Sequence, residues 1–549
     1  MKSFLLILVF GWFCIPVLAQ HHHPAPTIKT IQPVSLNTGL GKHHHAVSTT
    51  NTQAQGLFNQ GLTLVYGFNH PEAIRFFKRS AELDPQLAMA YWGIALATGP
   101  NYNETTVDSV RQKAANEAIQ KAVSLMTKAP EYEQAYIKAL AKRFSNNPKA
   151  DQKQLAMDYS TAMAALAKQY PDDLDAATLY ADSKMILNAW KLWSPEGKPA
   201  DGTEEIVQVL EMVLARDPDH IGANHLYIHA VEASPRPERA LASADRMGAL
   251  TPAAGHLVHM PAHIYMRVGN YEAAARSNDL AAKADQAYIE STGVRGPYGA
   301  GYYSHNLHFL AAAYSMQGRL NDAKKAAGQL EANVGSYLKD MPFLDAFMPT
   351  TTFLLVRFRQ WEDILKAPEP SKNLAITNAL WHWGRGMAYA ATDKPGNAKK
   401  ERTILVSAVK RLPTETRFGA NSAADVLKVA EHMLNARIAT AEGNRKLAIE
   451  LLRKAVAAED ALSYSEPPDW YYPPSRESLG GALLLDKQYE EAEKVFRADL
   501  EKNRRNGRSL FGLLQSLKAQ DKQYAAQLVQ REYEDAWRHS EVKLRVEDL

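Results

Sequence analysis

The segment Gly-His-Leu-Val-His-Met-Pro-Ala-His-Ile-Tyr at 255–265 holds His256, His259 and His263, in a chain with 18 histidines in all. Neutral imidazole is the commonest metal-ligating side chain, and two of them at i and i+4 of a helix form a ready clamp. The spacing recurs. His225 and His259 are 34 residues apart, as are His229 and His263. Superposing the turn glycines Gly269 and Gly318 sets His256 against His305 and His259 against His308, so seven histidines share one register. At about 100° per residue, His256, His259 and His263 fall on one narrow stripe, as do His225, His229 and Glu232. Ile228, Val231, Ala262, Tyr265, Ala311 and Tyr314 occupy the packing face of the same helices.

Imidazoles from neighbouring helices about 8–10 Å apart can converge on an ion between them. Seven histidines with Glu232 and, more weakly, Asp182 and Met266 exceed what one tetrahedral ion needs. They suit two ions, or one ion with an outer hydrogen-bonded shell. An imidazole-rich set without thiolates suits copper, zinc, nickel or iron. An ion with an open position would support a metal-dependent hydrolase or oxidoreductase. Glu232 is then a ligand, a base acting on metal-bound water, or an ion-pair partner of Arg236 or Arg239. The stretch 225–232 is not the zinc-peptidase motif, in which glutamate directly follows the first histidine. The chain shows no Gly-rich phosphate loop, nucleotide or flavin motif, and no Cys-x-x-Cys-His for attaching haem. Two other readings stand beside the metal centre: a non-enzymatic scaffold with a polar groove for a peptide or partner protein, and metal storage or delivery.

Helices must position these residues. Residues 56–85 read as two amphipathic helices with a tight turn and a closing Asp-Pro, and Leu57, Gly61, Ala73, Phe77 and Pro85 match the tetratricopeptide repeat (TPR) pattern. Gly269, Tyr271, Ala274 and Ala281 match it again, as do Tyr314, Gly318 and Ala323, and then Tyr489, Ala492 and Phe496. The chain therefore resembles the TPR family, of an exported bacterial type, with units starting near 54, 88, 174, 221, 255, 304, 379, 429, 473 and 507. The resemblance implies an all-α, right-handed α-solenoid of helix-turn-helix repeats with helical insertions at 104–170 and around 330–375. It also implies that the first helix of each repeat lines a concave groove, through Gly222, His225, His229 and Glu232, then His256, His259, His263 and Met266, then His305, His308, Ala312 and Ser315. The corresponding earlier positions are Asp175, Thr178 and Asp182. Such grooves take peptides or protein tails, but the lysine and asparagine clamp for a peptide carboxylate is absent at these positions. Pro261 interrupts the stripe, and the register predicts a kinked but continuous helix that frees the carbonyl of Leu257. No alternating strand is expected. Tyr265, Tyr314 and Trp383 read as core, His382 and His432 as structural, and His70 as turn chemistry. His220 is a cap or a further member of the cluster.

With 63 basic and 60 acidic residues among 549, the net charge of +3 gives no electrostatic reason to expect nucleic acid as partner. Residues 1–19 have the charged, apolar and small-residue layout of a secretory signal, predicting a periplasmic or secreted protein with no membrane span in the mature chain. Cys14, the one cysteine, lies inside it, so no disulfide or thiolate ligand is expected. The expected organisation is the signal at 1–19, a flexible His/Pro-rich leader at 20–52, an N-terminal repeat region at 53–200, central repeats with the histidine cluster at 201–335, and C-terminal repeats at 336–549. The leader's triplets, 21–23 and 43–45, would bind metal only loosely, since a disordered tract imposes no geometry.

Overall fold

The computed structural model describes residues 34–470 and 473–549. The signal at 1–19 and the first histidine triplet lie outside them. The described chain is an all-α solenoid of successive helix pairs. First helices stand close to the predicted starts, at Ala88–Thr98, Leu174–Leu187, Ile221–Val231 and Gly255–His259, then Ser304–Met316, Ala375–Ala391, Ser475–Leu485 and Gly507–Ala519. Each apolar stripe packs on the helices before and after it, so burial is continuous along the array. The only strands among the described residues are Arg417–Phe418 and Asn421–Ser422, one short antiparallel pair. No helix of the described residues is long and apolar enough to cross a membrane.

The turns repeat a local device. Gly269 adopts φ 78° at the end of Pro261–Val268, and the Asn270 side chain then accepts from the Ala273 N–H to start Tyr271–Thr292. Phe68 stands at the equivalent place before the cap Asn69, with φ 54°. A left-handed conformation costs a bulky residue about 1–2 kcal/mol, and the ring it displays lies in the histidine cluster. Tight packing elsewhere follows the repeat pattern: a Cβ on Gly93 would sit 2.4 Å from the Phe77 ring. Gly93→Ala should therefore cost about 1–3 kcal/mol by overpacking, read as a lowered melting temperature.

Two large cores meet at the histidine helices. One runs from Leu40 to Ile264 and the other from Ala262 to Val529. The central block, 201–335, contributes to both cores and also carries most of a third, smaller one, Ala282 to Leu344. The C-terminal repeats then return across it. The Tyr271 hydroxyl donates to Arg504 O at 2.8 Å, Arg504 pairs with Glu238 at 3.2 Å, and Glu541 N donates to Gly318 O at 3.1 Å.

Two expectations need correction. Residues 34–52 are not a free leader: Ala253 N donates to Gly39 O at 2.9 Å, and His43 and His45 meet Asp175 at 3.1 and 2.8 Å. At Pro261 the helix is two segments, Gly255–His259 and Pro261–Val268. Met260 between them keeps helical angles (φ −49°, ψ −37°), so the axis carries on while the missing proline N–H breaks the ladder.

His70 is buried at the start of its helix, and burial, with the charges of Arg111 and Arg143, brings its pKa down to about 3. The unfolded chain protonates this ring below pH 6.5 while the folded one does not, so its presence costs stability as pH falls from about 6.5 to about 3. Relative to His70→Gln, the natural protein should lose about 1.4 kcal/mol per pH unit across that window, measurable by denaturant unfolding at several pH values.

Candidate metal centre

Each histidine arrives from a first helix, and the helical stripe aims them together. His225, His229 and His256 bring ligand nitrogens within 4.8 Å of one another, and His259, His263 and His305 form a second such group. The groups touch: the His229 and His263 rings are 5.6 Å apart, and those of His256 and His259 are 5.9 Å apart. Six of the seven predicted histidines are thus collected into two adjoining triads. His308 stands outside them, with its ring 5.4 Å from that of Phe347. Asp182 is also apart, beside Arg143 in a small pocket, where burial raises its pKa to about 6 despite that charge. Met266 belongs to the apolar core.

Glu232 lies between the triads, against one imidazole of each. Its Oε1 lies 2.6 Å from His229 Nδ1 and its Oε2 lies 2.6 Å from His263 Nδ1. The Tyr464 hydroxyl donates to Oε2 at 2.9 Å. Arg236 and Arg239 pair elsewhere, with Glu238 and Glu211. Burial pushes the Glu232 carboxyl up, but His263 and His229 outweigh it and hold the group far below the usual carboxylate range.

These partners fix the tautomers. A ring that donates through Nδ1 presents a bare lone pair at Nε2. His229 donates to Glu232, and His225 donates to the backbone carbonyl of Tyr66, while His263 Nδ1 lies against Glu232 Oε2 at ion-pair distance but out of hydrogen-bond alignment. His259 Nδ1 faces Asn278 Oδ1 at 2.7 Å, since the Asn278 amide nitrogen donates to Ala274 O at 2.8 Å. Nε2 of His225 and of His229 has no hydrogen-bond partner among the described residues, nor has either nitrogen of His256. Each buried polar atom left so costs about 1–3 kcal/mol. His259 Nε2 and His263 Nε2 lie 3.0 Å apart. Two lone pairs at that distance repel unless a cation, whether a proton or a metal ion, lies between them.

The cluster is not the open polar groove that the sequence suggests. Five of its histidines are only 0–2% exposed. The Phe68 ring lies 4.5 Å from His225 and stacks on His256, while Tyr102 and Trp190 cover His229 at 5.1 and 5.5 Å. Phe309 packs against His259, His263 and His305. Burial, first, and the neighbouring imidazoles, second, push His225, His256, His259 and His305 far below 6.5. They are neutral and ready to ligate.

Sequence reasoning missed Phe68, Tyr102, Trp190, Asn278 and Tyr464. Only the asparagine, in the helix after the histidines, has a positional signal. It also missed a second carboxylate cluster. Asp175 accepts from Tyr66 at 2.5 Å and meets His43, His45 and His220. His220 caps its helix by accepting the Ala223 N–H at Nδ1, so its Nε2 carries the proton and points at Asp175. Burial alone would raise Asp175, but the His43 charge and the hydrogen bonds from His220, His43 and His45 hold it well below the usual range. Geometry allows an ion here too, and Nε2 of His43, of His45 and of His220 has no aligned hydrogen-bond partner among the described residues.

No protein-family model and no curated protein matches the chain. Among solved structures, yeast Tom70 is similar at 12% identity and TM-score 0.31, over 88% of this chain and 90% of that one. A human IFIT1 dimer with PPP-AAAA matches at 14% identity and TM-score 0.32, again over 88% and 90%. The APC/C hetero-tetramer Cut9-Hcn1 matches at 10% and 0.28, over 93% and 78%. Scores of this size assign neither family nor function, and the solenoid rests on the chain's own helix pairs.

Proposed function

We propose that the central repeats hold a two-ion, all-imidazole transition-metal centre, with His225, His229 and His256 serving one ion and His259, His263 and His305 the other. The observation that carries this reading is the set of Nε2 lone pairs held bare by Nδ1 partners, above all the His259–His263 pair. A peptide in a groove would need exposed imidazoles, and these are buried. Glu232 serves as the common outer-shell acceptor that orients a histidine of each triad.

Copper fits best. Two divalent ions would bring four positive charges into a buried site that only one carboxylate, Glu232, touches, and burying uncompensated charge is costly. Two cuprous ions bring half of that and prefer neutral imidazole over carboxylate. A pair of ions each changing charge by one can exchange two electrons, with oxygen anions from solvent or substrate balancing the oxidised state, so oxidation-reduction is favoured over hydrolysis. The layout of residues 1–19 supports export.

The test is metal content in protein lacking residues 1–33, which removes the 21–23 triplet but keeps the packed 43–45 segment. Loaded anaerobically with Cu(I) and desalted, it should retain two ions per chain. A protein that retains none, or holds zinc but not copper, refutes the proposal.

A further inference from the structure

A cavity of about 680 Å³ adjoins the metal centre, between the loop carrying Trp190 and Trp193 and the segment carrying Tyr464, Glu466 and Trp470. Its wall reaches the histidines at two points. Trp190 lies against the His229 ring, and the Tyr464 hydroxyl donates to Glu232. Glu466 lines the cavity, is 8% exposed, and makes no hydrogen bond or ion pair among the described residues. The cations around it are differently placed. Arg267 spends Nε and Nη2 on the carbonyls of Glu232 and Ser234 while stacking over Tyr464. Lys502 is paired with Asp460, and Lys191 and Lys198 stand exposed at the rim.

We infer that this cavity is the binding site of an organic amine, whose ammonium group pairs with Glu466 and whose body lies against the aromatic wall. Buried carboxylates are paired in folded proteins, and aromatic faces beside a desolvated carboxylate are the natural surroundings of an ammonium. Burial pushes the Glu466 carboxyl up to about 8, and the charge of Arg267 offsets only part of that rise. The pocket stands independently of the metal. That its occupant is the substrate of the centre does rest on the two-ion reading.

Binding is therefore measured on the metal-free full chain, by tryptophan fluorescence and calorimetry. The probes are phenethylamine and its neutral counterpart 2-phenylethanol. Phenethylamine should saturate one site, at least tenfold more tightly than the alcohol. Glu466→Gln should abolish that preference while retaining the melting temperature, and Trp190→Ala, at an exposed position, should weaken the amine at least fivefold. No saturable binding, equal binding of amine and alcohol, or an unchanged preference in Glu466→Gln would overturn the inference. Metal content, measured separately, shows whether the centre stands.

Discussion

A His259→Ala/His263→Ala double variant is expected to keep one copper where the natural protein keeps two. The two substitutions dismantle one triad and leave His225, His229 and His256 with their Tyr66 and Glu232 partners in place. His225→Ala/His229→Ala should show the reverse, and the fourfold variant should bind none. Each double variant also deletes buried side chains, costing about 2–5 kcal/mol per truncated site by analogy with other large-to-small changes. The metal counts are therefore read alongside the melting temperature of each metal-free protein, with His263→Gln as a smaller perturbation. Loss of both ions from either double variant would mean one shared site rather than two. Retention of both would place the metal elsewhere, with the Asp175 cluster as the first place to look.

Glu232→Gln should weaken both ions at once, although Glu232 ligates neither. One carboxylate oxygen accepts from His229 and the other lies 2.6 Å from His263 Nδ1. The isosteric amide has one acceptor oxygen and a nitrogen that donates, so one of the two rings must turn over or protonate Nε2, and the other loses the negative charge that raises its basicity as a ligand. Outer-shell changes of this kind cost 10–100-fold in metal affinity, or about 1.4–2.8 kcal/mol. Competitive titration against a copper chelator measures it. The charge matters to the fold as well. Because Glu232 is held far below its ordinary range, its ionised form stabilises the native state above the unfolded pKa, and that contribution is lost as pH falls through the folded one. Glu232→Gln removes it at neutral pH too, so the difference in stability between the natural and variant proteins should shrink in acid.

The 34-residue recurrence of His225/His259 and His229/His263 made the shared helical face legible in the sequence, since helix periodicity and repeat spacing are both local properties. The same recurrence included His308, which the structure leaves outside the triads, because equivalent register does not guarantee equal reach once the array twists. Closure of the site was not legible. It depends on Phe68, whose turn position ordinarily takes glycine, on Trp190, and on Tyr464, which is 232 residues from the glutamate it touches. No periodicity encodes a contact of that length. The role of Glu232 was only half visible: its place on the stripe was clear, while the choice between ligand and orienting acceptor turned on which imidazole nitrogen faced it. The 43–45 triplet shows the opposite error, in which composition suggested freedom and the contacts of His43 and His45 with Asp175 supplied order.

Anomalous diffraction from crystals of the copper-loaded protein lacking residues 1–33, collected on both sides of the copper edge, tests the central claim most directly. Two peaks are predicted, each about 2.0–2.1 Å from imidazole nitrogens, one bounded by His225, His229 and His256 and the other by His259, His263 and His305. A single peak, a peak only at His43, Asp175 and His220, or none at all would contradict it.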